Sequence, residues 1–192
     1  IAYCARVSNP SNQFNTQTSE KLIRYLVEHQ HWSPLEMVSA CIEITTTRDI
    51  ARQILRHRSF SFQEFSQRYA EVVNWDRGEA RLQDNKNRQN SIPTQDRELQ
   101  RWWDEQQAAV WKQSTEAYKL ALQQGMAKEV ARKVLPEGLA MSRMYMNGTL
   151  RSWIHFIELR SGNGTQKEHQ LIALACAKAI AAIFPMSESL VQ

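Results

Sequence analysis

The segment Arg56-His57-Arg58, with Ser66 and Arg68 after it, gathers three guanidinium groups, an imidazole and a hydroxyl in one short stretch. A guanidinium never deprotonates in a protein, and its planar fork fits a phosphate or a planar carbonyl edge. Each arginine taken alone could equally be solvated surface. Interleaved with hydroxyls and amides, the group suits a nucleotide. Residues 48–69 and residues 126–160 each carry a surplus of three positive charges, in a chain with 24 Lys and Arg, 20 Asp and Glu and a net charge of +4. That total permits an anionic ligand but is too small for a histone-like or tail-like nucleic-acid binder. No GxxxxGK[ST] loop occurs, and the pair Gly162 and Gly164 lacks both a third glycine and a preceding strand, so side chains and helix ends must hold any dinucleotide. Ser66 has no His–Asp relay beside it and reads as a ligand contact rather than a nucleophile. Cys4, Cys41 and Cys176 lie outside any polar basic motif, and Cys41 and Cys176 read as core residues. His29 and His31 have no third ligand at a sensible spacing, so no metal site is expected.

These residues need elements to position them. Asn9 to Thr18 is rich in Asn, Ser, Gln and Thr and reads as a loop, after which Ser19 caps a helix with Leu22, Tyr25, Leu26 and His29 on one stripe, ended by Trp32-Ser33-Pro34. Val38, Ala40, Ile42 and Ile44 alternate with polar residues, the period of a half-buried strand running into the TTT stretch. A helix follows over Asp49 to His57, with Ile50, Ile54 and Leu55 inward and Arg48, Arg52 and Arg56 outward. Asn74 to Thr94 is polar and aperiodic and reads as a long surface loop with a short strand allowed at either end. Residues 97–124 carry Leu99, Trp102, Trp103, Val110, Trp111, Tyr118 and Leu122 at helical intervals and stop at Gly125, a long and well-buried helix. Three helices close the chain: Lys128 to Leu135 before Pro136, Leu150 to Arg160 before Gly162, and Gln166 to Phe184 before Pro185. Trp102, Trp103 and Trp111 read as core and interface residues rather than stacking platforms.

The whole is an α+β fold, a small antiparallel sheet flanked by several long helices, in one domain over residues 1–192. No apolar run approaches the roughly 18 to 20 residues of a membrane span. The start IAYCARVS has neither the basic end nor the apolar stretch of a signal peptide. Opening at Ile1 rather than Met, the sequence allows for a first strand upstream. Three widely spaced cysteines argue against a disulfide framework and for a reducing cytoplasm.

Arg56-His57-Arg58 followed by seven residues and Ser66 is an RHRx7S signature, and with Glu64 and Arg68 it resembles the flavin-dependent thymidylate synthases. ARVS near the start, HWSPLE (His31 to Glu36), RQILRHR, ARKVLPEG and RSWIHFIELR stand in the order and approximate spacing of that family, so the resemblance covers nearly the whole chain. It implies methylation of dUMP to dTMP with methylenetetrahydrofolate as carbon donor and FAD, reduced by NADPH, as hydride source. It also implies a homotetramer whose sites are shared between subunits. Carried over position by position, Ser33, Arg56, His57, Arg58, Glu64, Thr149, Arg151 and His155 would contact FAD, and His31 would line the flavin and folate cleft. Gln53, Arg56, Glu64, Ser66, Arg68 and Arg132 would surround dUMP, and Arg160 would sit on the pyrimidine and favour ionisation at N3. The family needs no enzyme thiolate, in keeping with the three cysteines. His155 would by itself read as a packed helix histidine; the motif raises it. Met37, Gln63, Thr149 and Gly164 depart from the family pattern, where His, Asn, Asn and His are frequent, and these departures touch flavin and folate contacts. The rival reading from another class takes Arg48 to Arg68 as a phosphate-contacting helix of a nucleic-acid binder, colourless and steeply salt-dependent. The synthase reading expects no nucleic-acid partner and no membrane.

Overall fold

The computed structural model describes residues 1–162 and 164–184. Its elements in chain order are α1 (Ala2–Ala5), α2 (Ser19–Glu28), β1 (Ser39–Thr47), α3 (Arg48–Ile54), β2 (Ser61–Glu64), β3 (Arg81–Gln83), β4 (Ser91–Pro93), α4 (Arg97–Gln123), α5 (Lys128–Ala131), β5 (Met141–Thr149), α6 (Leu150–Ser161) and α7 (Lys167–Ala181), with 3₁₀ turns at Pro10–Asn12, Ser33–Met37 and Arg132–Val134. The expected α+β architecture is observed. The main sheet is antiparallel with order β1-β5-β2, and β3 and β4 form a separate hairpin.

Period-two patterning sets the sheet. On β1, Ala40, Ile42, Ile44 and Thr46 turn inward, and on β5 Ser142, Met144, Met146 and Gly148 do, with Met144 and Met146 wholly buried. The opposite face carries Cys41, Glu43 and Thr45, Arg143, Tyr145 and Asn147, and Ser61 and Gln63, all exposed. Strand β5, the middle strand, and β2 escape the sequence reading, because Met, Asn and Gly are poor strand formers and β2 is only four residues long. Cys41 is therefore not a core residue: it points to the outer face and is exposed, whereas Cys176 is buried as expected.

Helices α6 and α7 cover the inner face. Leu150, Trp153, Ile154, Phe156 and Ile157 recur at helical spacing and pack with Ala173, Cys176, Ala177 and Ile180. Thr149 caps α6 through its Oγ1, and the Trp153 indole Nε1 donates to the Ala40 carbonyl at 3.0 Å, so a wholly buried ring leaves no unmet donor. A second core joins Val72, Trp111, Tyr118, Ala131, Leu135, Leu139 and Ala140.

Other expectations need correcting. Ser19 does not cap α2; it is the first helical residue, its hydroxyl donates to the Asn15 carbonyl, and Thr18 at the cap position accepts from Arg6 instead. Helix α4 is long but not well buried, with Gln107, Trp111 and Tyr118 its buried residues and Trp102 and Trp103 exposed. Trp111 stacks on Trp75 at 5.6 Å. The helix expected up to Leu135 ends at Ala131 and tightens into a 3₁₀ turn. Helix α7 is shorter than expected, and the Pro185 stop lies outside the described residues. The stretch 74–94 contains the β3–β4 hairpin, and Trp75 bridges to Ala140. The Gly125 stop is observed, with φ at 80°.

Candidate active site

Arg48 was expected on the outer face of α3, yet it is 5% exposed. Its Nε donates to Glu137 at 2.9 Å and its Nη1 stands 3.6 Å from Glu64. A guanidinium cannot be buried without carboxylate partners, and here the PEG segment and β2 supply them. Arg52 adds contacts to both glutamates, and the Ser142 hydroxyl donates to Glu64 at 2.8 Å. Burial pushes the Glu137 carboxyl up, but the Arg48 hydrogen bond and charge and Arg52 outweigh it, so it stays below its ordinary value. With Arg48 inside, the basic stripe expected on α3 keeps Arg52 and, just past the helix, Arg56 on its exposed side.

At the other end of α3, Gln53 and His57 meet α6 and α7. Arg160 Nε donates to His57 Nε2 at 3.0 Å, which fixes the remaining imidazole proton on Nδ1. Burial, then the Arg160 and Arg56 charges, hold His57 below its ordinary value, so it is neutral at physiological pH. Its ring packs edge-on to Phe156 at 5.0 Å, and Phe60 lies beyond. Gln53 donates from Nε2 to Gln166 Oε1 at 2.7 Å, and its Oε1 stands 3.3 Å from Nδ1 of the wholly buried His169. The sequence reading missed His169; its signal was a histidine sharing the apolar stripe of α7 with Ala173 and Ala177. It also missed Glu36, Glu137, Ser142 and Gln166.

Among the described residues Arg56, Arg58, Arg132 and Arg160 have no carboxylate within ion-pair distance, unlike Arg48, Arg52, Arg68 and Arg151. Arg68 pairs with Glu129 at 3.1 Å across an exposed gap, a contact worth about 1 kcal/mol at most and easily exchanged for a ligand. Ser66 Oγ accepts from the Arg68 backbone N–H at 3.3 Å with no imidazole bonded to it, as suits a ligand contact.

The remaining candidates form a second group. Arg151 donates to Glu36 at 2.5 Å and the Thr149 hydroxyl to the same carboxylate at 3.0 Å, and these bonds hold Glu36 below its ordinary value. Ser33 opens the 3₁₀ turn that carries Glu36, and His155 meets Trp32 edge-on at 4.7 Å. His31 lies beside Tyr25, which stacks on His29. Gly164 takes φ of 91°, a conformation that a histidine there would adopt only under strain.

The two glutamates of these groups bond to opposite ends of β5. Ser142, bonded to Glu64, and Thr149, bonded to Glu36, stand seven residues apart on β5, about 23 Å at the rise of an extended strand. Along α6, Arg151 and Arg160 are separated by about 13 Å of helix axis. Among the described residues, no cluster of three or more His, Cys, Asp or Glu has the arrangement of a metal site, and no helix is long and apolar enough to cross a membrane.

Residues 1–186 match the family model described as thymidylate synthase complementing protein. A probable flavin-dependent thymidylate synthase of Paramecium bursaria Chlorella virus 1 is 50% identical over 186 residues, covering 96% of this chain and 86% of its own. A flavin-dependent thymidylate synthase of Synechocystis sp. is 51% identical over 185 residues, with 96% and 85% covered. In three dimensions the fold superposes on the crystal structure of the UMP/dUMP methylase PolB from Streptomyces cacaoi bound with 5-Br dUMP, with a TM-score of 0.84, 26% identity, and 98% of this chain and 87% of that one covered. By its sequence along almost its entire length, then, the chain belongs to the thymidylate synthase complementing protein family.

Proposed function

We propose that the chain is an FAD-dependent thymidylate synthase, which methylates dUMP to dTMP with 5,10-methylenetetrahydrofolate as carbon donor and NADPH as reductant, releasing tetrahydrofolate and NADP. The observation that carries this reading, beside about 50% identity to flavin-dependent thymidylate synthases, is the pair Arg56 and Arg160, without carboxylate partners among the described residues, beside a neutral histidine. An anionic nucleotide and an anionic dinucleotide are what such a pair lacks. Arg56, Arg58, Arg132 and Arg160 have no carboxylate partner among the described residues, and His57 is uncharged with one nitrogen already bonded, so the residues present fit FAD and dUMP.

In this reading Ser33, Arg56, His57, Arg58, Glu64, Thr149, Arg151 and His155 hold FAD, with His31 on the folate side. Gln53, Arg56, Glu64, Ser66, Arg68 and Arg132 surround dUMP. Bound FAD supplies the hydride once NADPH has reduced it. Arg160 uses Nε on His57, and its terminal N–H groups have no partner among the described residues. Those groups suit the O2 and N3 edge of uracil, where negative charge develops as C5 becomes nucleophilic. Neutral His57 leaves the Arg160 charge uncancelled and keeps the guanidinium plane fixed. Cys176, buried and pushed up to about 12, is no thiolate nucleophile.

The separation along β5 supports a site completed between chains, in a homotetramer whose uncovered outer sheet face supplies contact area. Each chain contributes residues 1–192 as one catalytic domain. Three free cysteines suit a cytoplasmic enzyme. The test is direct. Purified protein should be yellow, oxidise NADPH when dUMP is present and form dTMP from methylenetetrahydrofolate. A folded, colourless protein that forms no dTMP when supplied with FAD would overturn the reading.

A further inference from the structure

Gln53 meets two residues at the start of α7, Gln166 and His169, beside the β3–β4 hairpin. Arg81 Nη2 donates to Glu168 Oε1 at 2.6 Å. Burial raises the Glu168 carboxyl, but its own backbone N–H, Arg81 and the Gln166 side chain outweigh that and hold it ionised. Gln166 Oε1 accepts from Gln53 Nε2 at 2.7 Å. Gln53 thereby presents Oε1 to His169 Nδ1 at 3.3 Å. Two facing acceptors would repel, so the proton of the neutral imidazole sits on Nδ1 and donates. His169 Nε2 is buried without a partner. The other tautomer would place an unpaired N–H there, a costlier defect than an unpaired lone pair. Arg160 and His57, the charged and titratable groups facing this ring, add to burial in keeping it neutral, at about 4.

We propose that His169 is a positioning residue for dUMP: it locks the Gln53 amide in one of its two orientations, so that the second Gln53 N–H, which no described residue takes, is offered to an oxygen of the nucleotide. The uracil carbonyls, the sugar and the phosphate all present acceptors. A flipped amide would turn its carbonyl toward them and lose the bond. The proposal rests on Gln53 being a dUMP contact.

The experiment measures dUMP affinity of the FAD-loaded enzyme by isothermal titration for wild type, H169L, H169N, Q53A and the Q53A/H169L double variant, with a melting curve for each. Loss of one net neutral hydrogen bond weakens binding about threefold to tenfold in H169L. The melting temperature of H169L should hold or rise, because an unpaired buried nitrogen gives way to an apolar group. H169N should recover affinity, since the asparagine Nδ2 takes the place of the imidazole Nδ1. In the Q53A background H169L should add nothing. Wild-type affinity in H169L alongside weakened Q53A overturns the role of His169 and leaves the site intact. Wild-type affinity in Q53A overturns the assignment of Gln53 itself, and the proposal with it. If H169L does not fold, Q166A at an exposed position opens the same chain from its other end; equal weakening supports the proposal and wild-type affinity overturns it.

Discussion

Gly148 is where the sheet and the RHR segment press hardest on each other. A Cβ added there would stand 2.5 Å from Phe60 Cδ1 and 2.6 Å from Cε1. Ordinary contact begins near 3.4 Å, so in G148A the ring must retreat by about 0.9 Å. It is hemmed in by Trp153 at 4.8 Å, Phe156 at 5.9 Å and Phe62 at 6.3 Å between ring centroids, and none of these is the loose end of a flexible chain. Overpacking of this kind costs about 1–3 kcal/mol. Exchanging Gly for Ala in a strand returns about 0.5 kcal/mol, which leaves a net loss of roughly 0.5–2.5 kcal/mol. At about 2–4 °C per kcal/mol for a chain of this size, the melting temperature should fall by about 1–10 °C. Scanning calorimetry of G148A, F60L and the double variant checks both size and cause. The ring is the obstacle, so the double variant should melt higher than the sum of the single losses predicts, with a coupling of about 1 kcal/mol. A melting temperature unchanged in G148A, or additive losses in the double variant, would refute the steric account of this position.

R160A should still bind FAD but lose roughly a hundred- to a thousandfold in kcat for dTMP formation, the scale of removing one charge-stabilising donor; normal turnover would remove Arg160 from the pyrimidine. Replacing all three cysteines (C4S, C41S, C176A) should leave dTMP synthesis within about twofold of wild type, since catalysis here calls on no thiolate; abolished turnover in the folded variant would reopen a cysteine mechanism. His169 ionises at 6.5 in the unfolded chain and about 4 in the folded one. Below pH 6.5 the unfolded chain therefore takes up a proton that the native one refuses, and stability falls as pH drops from 6.5 to about 4 and then levels. For this wholly buried group the loss is roughly 3 kcal/mol. Urea titrations across that range should show it, and in H169L the slope should flatten; an equal slope in both proteins would mean other groups cause it.

Much of the candidate site was legible because its residues lie in contiguous strings. RHR, the serine after it and Arg160 have residue types that need no fold to be recognised, and the structure brings His57 and Arg160 to 3.0 Å. Elements with strong periodicity, β1, α4 and α6, were legible for the same reason. What escaped depends on neighbours remote in sequence. Arg48 looked like a surface arginine, and Glu137, 89 residues away, together with Glu64 of β2 makes its burial possible. His169 gains its role from Gln53, 116 residues away. β5 was unreadable because its inward positions are Ser142, Met144, Met146 and Gly148, no run of strand formers, and only pairing on both sides makes Met141–Thr149 a strand. The separation of the two residue groups was invisible because spacing along a chain carries no distance across a sheet.

The central place of β5 also sets a timetable. Neither β1 nor β2 pairs with the other; both pair only with the strand that begins at Met141. As the chain is synthesised from its N-terminus, residues 1–140 all exist before any main-sheet hydrogen bond can form. Until then the apolar faces of β1 and the phenylalanines after the RHR segment wait without a partner, dependent on chaperones or on loose collapse. A product cut short before residue 141 would hold no main sheet at all, so damaged messages should yield material for proteolysis rather than half-built enzyme able to trap ligands.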